Sequence, residues 1–298
     1  MNSRVLAIIA AILASAIYGI NHTVAKGVMP GYIEPFGFIF LRVSGAAILF
    51  WAISVFAPKE KIATSDWPRI FGCAFFGMVI NMLFFFKGLN LSTPINSSVI
   101  VTLSPVMVLI LGAVLIRERI TLLKSLGIIV GLTGALVLVL FSHSSNENAP
   151  NIPLGNLLFI INAFSYGLYL ILVKPLTAKY NAITLMKWLF LIGVLINFPV
   201  TIGEFTAVDW NNLPFEATWR MAFVVLGTTF ATYLLNIYAL KQLSASTISA
   251  FIYLQPLIAI IYAVATGADR LTLVKIVAAI LVFAGVYMVT IKKTKTRA

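Results

Sequence analysis

Residues 103–121 read LSPVMVLILGAVLIRERIT, and residues 254–272 read LQPLIAIIYAVATGADRLT. Each stretch runs Leu, one residue, Pro, then twelve mostly apolar residues. Each closes on an acid, Arg, an aliphatic residue and Thr. Pro105 and Pro256 lie 151 positions apart, and at that offset Glu118 meets Asp269, Arg119 meets Arg270, Leu122 meets Leu273 and Gly134 meets Gly285. Upstream the offset is 148, where Tyr18-Gly19 meets Tyr166-Gly167, Lys26 meets Lys174, Tyr32 meets Tyr180 and Gly45 meets Gly193. A three-residue insertion in the second half reconciles the two. Matches among Leu, Ile and Val are cheap in apolar sequence, but ordered matches of Pro, acid–Arg, Tyr–Gly and Lys are not. The chain therefore reads as two repeats, residues 1–145 and 150–298.

Composition says where the repeats reside. Apolar types make up 61% of the 298 residues and charged types 10%, whereas a soluble domain is about 45–50% apolar and roughly 25% charged. A soluble core of this length has no room for so much apolar surface, so the lipid bilayer is the expected solvent. A helix crossing about 30 Å of hydrocarbon needs roughly 20 apolar residues. Ten segments meet this: about 5–25, 35–56, 69–87, 93–115, 122–141, 153–173, 185–203, 219–240, 244–266 and 271–291. The expected fold is an all-α integral membrane protein of ten transmembrane helices. Ala14-Ser15-Ala16 resembles a signal-peptide cleavage site, but the apolar run continues to Ala25 and the repeat requires this helix.

The net charge of +12 is not a nucleic-acid signature, because the basic residues form no patch interleaved with aromatics. With ten spans, the loops on the side of both termini hold 14 of the 21 Lys and Arg residues, and the opposite loops hold 5. The positive-inside rule then puts both termini in the cytoplasm. Five spans per repeat is an odd number, so the second repeat enters the membrane from the opposite side. An inverted-topology repeat of this kind, around a central cavity, is a mark of secondary transporters.

Spans four and five with their Pro-x₁₂-Glu-Arg link, YGINHTVAK in the first span (18–26) and KGLNLSTPINSSVIVTLSP (87–105) resemble the EamA domain of the drug/metabolite transporter superfamily. The resemblance covers nearly the whole chain, twice, with Asp269 for Glu and no matching Asn in span six of the second copy. It implies ten helices around a central cavity that carry small metabolites by alternating access. Members of the family export amino acids, so the implied function is a metabolite exporter of the inner membrane, with no cofactor. The family shares no single substrate, and efflux of drug-like compounds is the alternative.

The acids are informative by their positions. All nine fall in loops or at span ends, so no span carries the mid-membrane carboxylate common in proton relays. The polar candidates for the cavity wall are Tyr18, Asn21, Asn81, Asn96, Asn162, Tyr166, Tyr169, Tyr233, Asn236, Tyr253 and Gln255. Amides offer donors and acceptors, and tyrosine offers an apolar face with a polar tip. The competing role is to bond helix to helix. His22 is either a titratable cavity group or a hydrogen-bonded packing residue. Arg42 lies seven residues inside span two and can offer its charge to a carboxylate or reach back to the interface. Pro105 and Pro256 each remove a backbone hydrogen bond within an apolar helix, which marks hinges or static kinks. Glu118-Arg119 and Asp269-Arg270 read as interface charges bonded to each other or to a nearby loop. Cys73 is alone, and two histidines without a partner motif support neither a zinc site nor a membrane transferase.

Overall fold

The structure is a computed structural model that describes residues 3–115, 121–141, 149–242 and 254–290. Every regular element among the described residues is helical. Six helical stretches are long and apolar enough to cross a membrane: Val5–Lys26, Pro35–Phe56, Thr64–Leu91, Pro94–Leu115, Ile152–Thr177 and Ala182–Thr206. At 1.5 Å per residue, even 22 residues reach about 33 Å. Shorter apolar helices cover Leu122–Val137, Leu254–Ala265 and Leu273–Gly285.

In chain order the helices are α1 (Ser3–Lys26), α2 (Pro35–Ile53), α3 (Trp67–Ala74), α4 (Asn81–Leu91), α5 (Pro94–Val101), α6 (Ser104–Leu115), α7 (Leu122–Phe141), α8 (Ile152–Thr177), α9 (Ala182–Thr206), α10 (Phe215–Ala222), α11 (Thr232–Gln242), α12 (Leu254–Ala265) and α13 (Leu273–Thr290). A π-helical segment, Phe75–Ile80, joins α3 to α4, and another, Phe223–Ala231, joins α10 to α11. Moving residues 75–80 forward by either repeat offset places them inside 223–231. Both halves thus widen the same helix at the same place.

Pro105 does not interrupt a helix. α5 ends at Val101, a turn covers Thr102 and Leu103, and α6 begins at Ser104. The missing N–H of Pro105 falls in a first turn, where amides have no helical acceptor in any case. Pro256 is the third residue of α12 as described, and the residues just before that helix lie outside the described set.

The core is built of antiparallel helix pairs. In the pair of α1 with α10–α11, Ala7 packs with Ala239 near one end, while Asn21 bonds Thr228 further along. In the pair of α2 with α9, the first turn of α2 meets Glu204 and Trp51 Nε1 donates to Lys187 O. α3–α4 runs against α8, with Gly88 against Phe159 and Ser165 Oγ donating to Phe76 O. α7 runs against α13, where Gly285 faces Gly131 and Gly134 faces Leu281.

Acids tie the helix ends across these pairs. Glu204, in the last turn of α9, accepts from Phe36 N at 2.6 Å and Gly37 N at 3.0 Å. It satisfies the orphan donors of α2, whose own N-cap Glu34 makes no side-chain cap. At the other end Glu60, just after α2, accepts from Asn181 N at 2.8 Å, at the start of α9. Each acid sits at or beyond the end of one helix and holds the start of its antiparallel neighbour. Asp66 at that end takes Lys179 Nζ at 3.0 Å and the Tyr180 hydroxyl at 2.8 Å.

Candidate substrate site

Three threonines of the second π-helical turn and its exit organise the polar residues of the interior. Thr228 Oγ1 donates to Asn21 Oδ1 at 3.0 Å. Thr232 Oγ1 lies 3.0 Å from the Tyr18 hydroxyl in hydrogen-bond geometry. Thr229 Oγ1 gives its proton to Val224 O at 2.9 Å, which leaves a lone pair for Arg42 Nε at 2.7 Å. One short segment of the second half therefore grips spans one and two of the first. Thr228 and Thr232 are spaced i, i+4, which puts them on one helix face. That spacing is visible in the sequence, but the sequence reading did not single these residues out.

Arg42 is 8% exposed, and its guanidinium carbon stands 5.5 Å over the Phe86 ring. Its partner Thr229 lies three residues before Thr232, which holds the Tyr18 hydroxyl and precedes Tyr233. Tyr233 presents its ring edge-on to Phe50 and Phe190, with centroids 6.1 and 5.6 Å away. Tyr169 is buried against Gly77, where a Cβ would stand 2.6 Å from the tyrosine ring. Its neighbour Tyr166, 5.8 Å away centre to centre, keeps 37% of its surface exposed although it lies midway along α8. Tyr18, Arg42, Phe86 and Tyr233 thus contribute aromatic faces, hydroxyls and one cation from four helical stretches, and Tyr166 with Tyr169 adds two more hydroxyls from α8.

The amides divide differently. Asn81 Nδ2 donates to Asn162 O at 3.3 Å, and Asn162 Nδ2 donates to Asn81 O at 2.7 Å. Asn96 Nδ2 donates to Asn156 Oδ1 at 3.2 Å, and Ser92 Oγ donates to the same oxygen at 2.6 Å. These amides knit α4 and α5 to α8. Asn236 is half-buried one turn beyond Tyr233, and the carbonyl of Gln255 backs onto Gly19. Tyr253 lies outside the described residues.

His22 is buried, with Nδ1 2.7 Å from Ser97 Oγ and its ring edge against Phe85. Asp269 and Arg270 do not pair through their side chains. Asp269 Oδ1 binds Lys275 Nζ at 2.5 Å, and its Oδ2 accepts from Ile95 N at 3.2 Å. Lys275 is six residues on, in the first turn of α13, and it supplies the partner charge of Asp269. Close by, Lys26 Nζ donates to Asn90 O at 2.5 Å. Glu118 and Arg119 lie outside the described residues. A separate recess of about 310 Å³, between α2, the 207–214 loop and α10, is apolar and holds none of the candidate residues.

Comparison with known proteins agrees with this architecture. The EamA-like transporter family matches the chain twice, over residues 5–140 and 153–291. An uncharacterized transporter of Archaeoglobus fulgidus is 28% identical over 88% of this chain and 91% of its own length. The uncharacterized transporter YxxF of Bacillus subtilis is 25% identical over 88% and 83%. A WAT1-related protein of Arabidopsis thaliana is 22% identical over 93% and 80%. A solved crystal structure superposes with a TM-score of 0.60 over 94% of this chain and 98% of that chain, at 19% identity, which is a likeness of fold. A double match to one family, spanning nearly all of an apolar helical chain, makes this a multi-pass membrane transporter, and the chain belongs to the EamA-like transporter family.

Proposed function

We propose that the protein is a secondary transporter of the inner membrane that exports small metabolites, amino acids foremost, by alternating access. Its ten spans form two inverted five-helix repeats, 1–145 and 150–298, and both termini are cytoplasmic. The antiparallel pairing supports the inverted arrangement. An odd repeat length turns each helix of the second half over relative to its equivalent, and α1 with α10–α11, α2 with α9, α3–α4 with α8 and α7 with α13 all run in opposite directions. The reciprocal capping by Glu204 and Glu60 has the same symmetry.

The observation that carries the reading is the interior cluster of Arg42, Tyr18 and Tyr233, with Tyr166 still part-exposed midway along α8. Intramembrane polar groups are expensive and mark the pathway of a solute. Here they come from both halves, so rocking one half against the other changes which face of the membrane the cluster meets. Aromatic faces with hydroxyl tips suit an amino acid with an apolar or aromatic side chain.

The test is counterflow in proteoliposomes. Vesicles preloaded with unlabelled amino acid should accumulate the labelled form, and Tyr166→Ala should reduce that uptake while the protein stays monodisperse. Absence of protein-dependent flux for every amino acid tried removes the substrate reading.

A further inference from the structure

The geometry points to Arg42 as an anion-recognition residue, with its guanidinium fork receiving the carboxylate of a monoanionic or zwitterionic cargo. The inference rests on the transport reading above and names the chemical handle by which cargo is held.

Three observations converge on it. The first is an uncompensated charge. Arg42 is 8% exposed and seven residues into α2, about 10 Å from that helix's start at 1.5 Å per residue. The ion pairs among the described residues are Lys179–Asp66, Arg220–Glu216 and Lys275–Asp269, and Arg42 is in none of them. Of the described acids at the ends of α2 and α9, Glu60 is bound to Asn181 and Glu204 to the first turn of α2, and Glu34 is exposed at the N-cap of α2, outside the interior that holds Arg42. A cation held in a membrane interior without a counter-charge is costly, and such groups are rare unless a pathway uses them.

The second is the free fork. Nε is fixed by Thr229 and the guanidinium plane is steadied by Phe86. Neither Nη nitrogen has a hydrogen-bond partner among the described residues, and neither is among the sealed, unsatisfied atoms of the interior. Two accessible parallel N–H groups on a fixed plane match the bidentate geometry of a carboxylate.

The third is the count of cations. The other basic side chains along α2 stand at its two ends, Lys87 over Phe36 at 5.8 Å and Lys187 over Trp51 at 4.9 Å. One positive charge, held by the same threonine segment that binds the Tyr18 hydroxyl, balances one negative charge. A carboxylate fits that balance, whereas a phosphate dianion calls for a second cation.

The experiment measures counterflow and thermal stability on wild type, Arg42→Gln and Arg42→Lys, in liposomes and in detergent. The probes are matched pairs: leucine with isoamylamine, phenylalanine with phenethylamine, lactate with 1,2-propanediol, and glycerol phosphate as a dianion. Wild type should move the carboxylate of at least one pair, with its partner moved at least about tenfold less efficiently. Arg42→Gln should erase that preference, and Arg42→Lys should retain it only in part because it lacks the fork. Ligand-free Arg42→Gln should unfold at the wild-type temperature or above, since an unpaired buried charge has been removed.

A drop of several degrees instead assigns Arg42 a structural role and overturns the proposal. So does a glutamine variant that keeps the carboxylate preference, or a wild type that favours glycerol phosphate. Wild-type flux of sugars or nucleosides with none for any carboxylate sinks the anion site and leaves the carrier reading standing. No flux of any solute sinks both.

Discussion

Asn81 and Asn162 hold each other by a reciprocal pair of bonds, each side-chain amide donating to the other residue's main-chain carbonyl, at 3.3 and 2.7 Å. The pair sits where Phe75–Ile80 widens into a π turn before α4. A π turn displaces carbonyls from the ordinary ladder, and an amide from a facing helix can take one up. The two asparagines therefore join the halves of the molecule at a point where the helix is irregular.

Their loss should register as stability. Asn81→Ala and Asn162→Ala should each cost about 0.6 kcal/mol, the average measured for interhelical bonds in membranes, and at most about 1.7 kcal/mol. Their effects should be non-additive, because either substitution breaks half of one reciprocal unit. Thermal unfolding of the two single variants and the double variant checks this, while apparent KM for cargo should stay within about twofold, since each amide is spent on the other residue's main chain. A tenfold rise in KM would instead put the pair in the substrate path.

The contrast between these amides and the tyrosines shows what the sequence could convey. Apolar runs of about 20 residues must be helices in lipid, because no other local structure satisfies its own backbone there. The helices near 5–25, 35–56 and 153–173 were legible for that reason. Charge and type also singled out Arg42, Tyr18 and Tyr166. Residue type does not choose a partner, however. Asn162 finds its acceptor 81 residues away and Arg42 finds Thr229 187 residues away, so a cavity amide and a helix-joining amide look alike in one dimension. At Pro105 the apolar run passes through 102–103 without a break in composition, but the backbone turns there.

Asp269 and Lys275 form an ion pair in which both side chains are almost sealed, 6% and 3% exposed. Removing one partner strands the other charge, so Asp269→Asn or Lys275→Met alone should cost about 3–5 kcal/mol. Asparagine still offers an oxygen to Ile95 N, so the loss reports the charge and not the backbone bond. The double variant should recover most of it. Chemical or thermal unfolding of the four proteins measures the coupling, and simple addition of the two losses would show that the pair acts as two independent surface charges.

Gly285 lies where α13 presses hardest on α7. A Cβ there would sit 2.6 Å from Gly127 O and collide with the main chain of Gly131. Backbone cannot give way as a side-chain tip can, so Gly285→Leu should separate the helices and cost about 1–3 kcal/mol or more. Loss of the monodisperse peak in size-exclusion chromatography is the expected readout. A control at Gly203, where an added Cβ meets nothing within 4 Å, should be silent.

The assigned orientation rests on Lys and Arg counts, and the fold makes it testable at two exposed loop positions. Lys59 follows the α2 end of the bundle, on the side where Asp66 meets Lys179, while Asp209 follows α9 at the opposite end. Cys73 is buried and is the single natural thiol, so the background for labelling is low. In intact spheroplasts a membrane-impermeant maleimide should modify Asp209→Cys, and it should reach Lys59→Cys only after lysis. Arg4, Lys59, Lys61, Arg69, Lys174 and Lys179 lie on the Lys59 side, so that side should face the cytoplasm, where the basic excess belongs. The reverse labelling pattern would turn the whole bundle over. It would leave the helix pairs intact but present Lys26, Asp269 and Lys275 to the cytoplasm, and with them the opposite gate to the cargo.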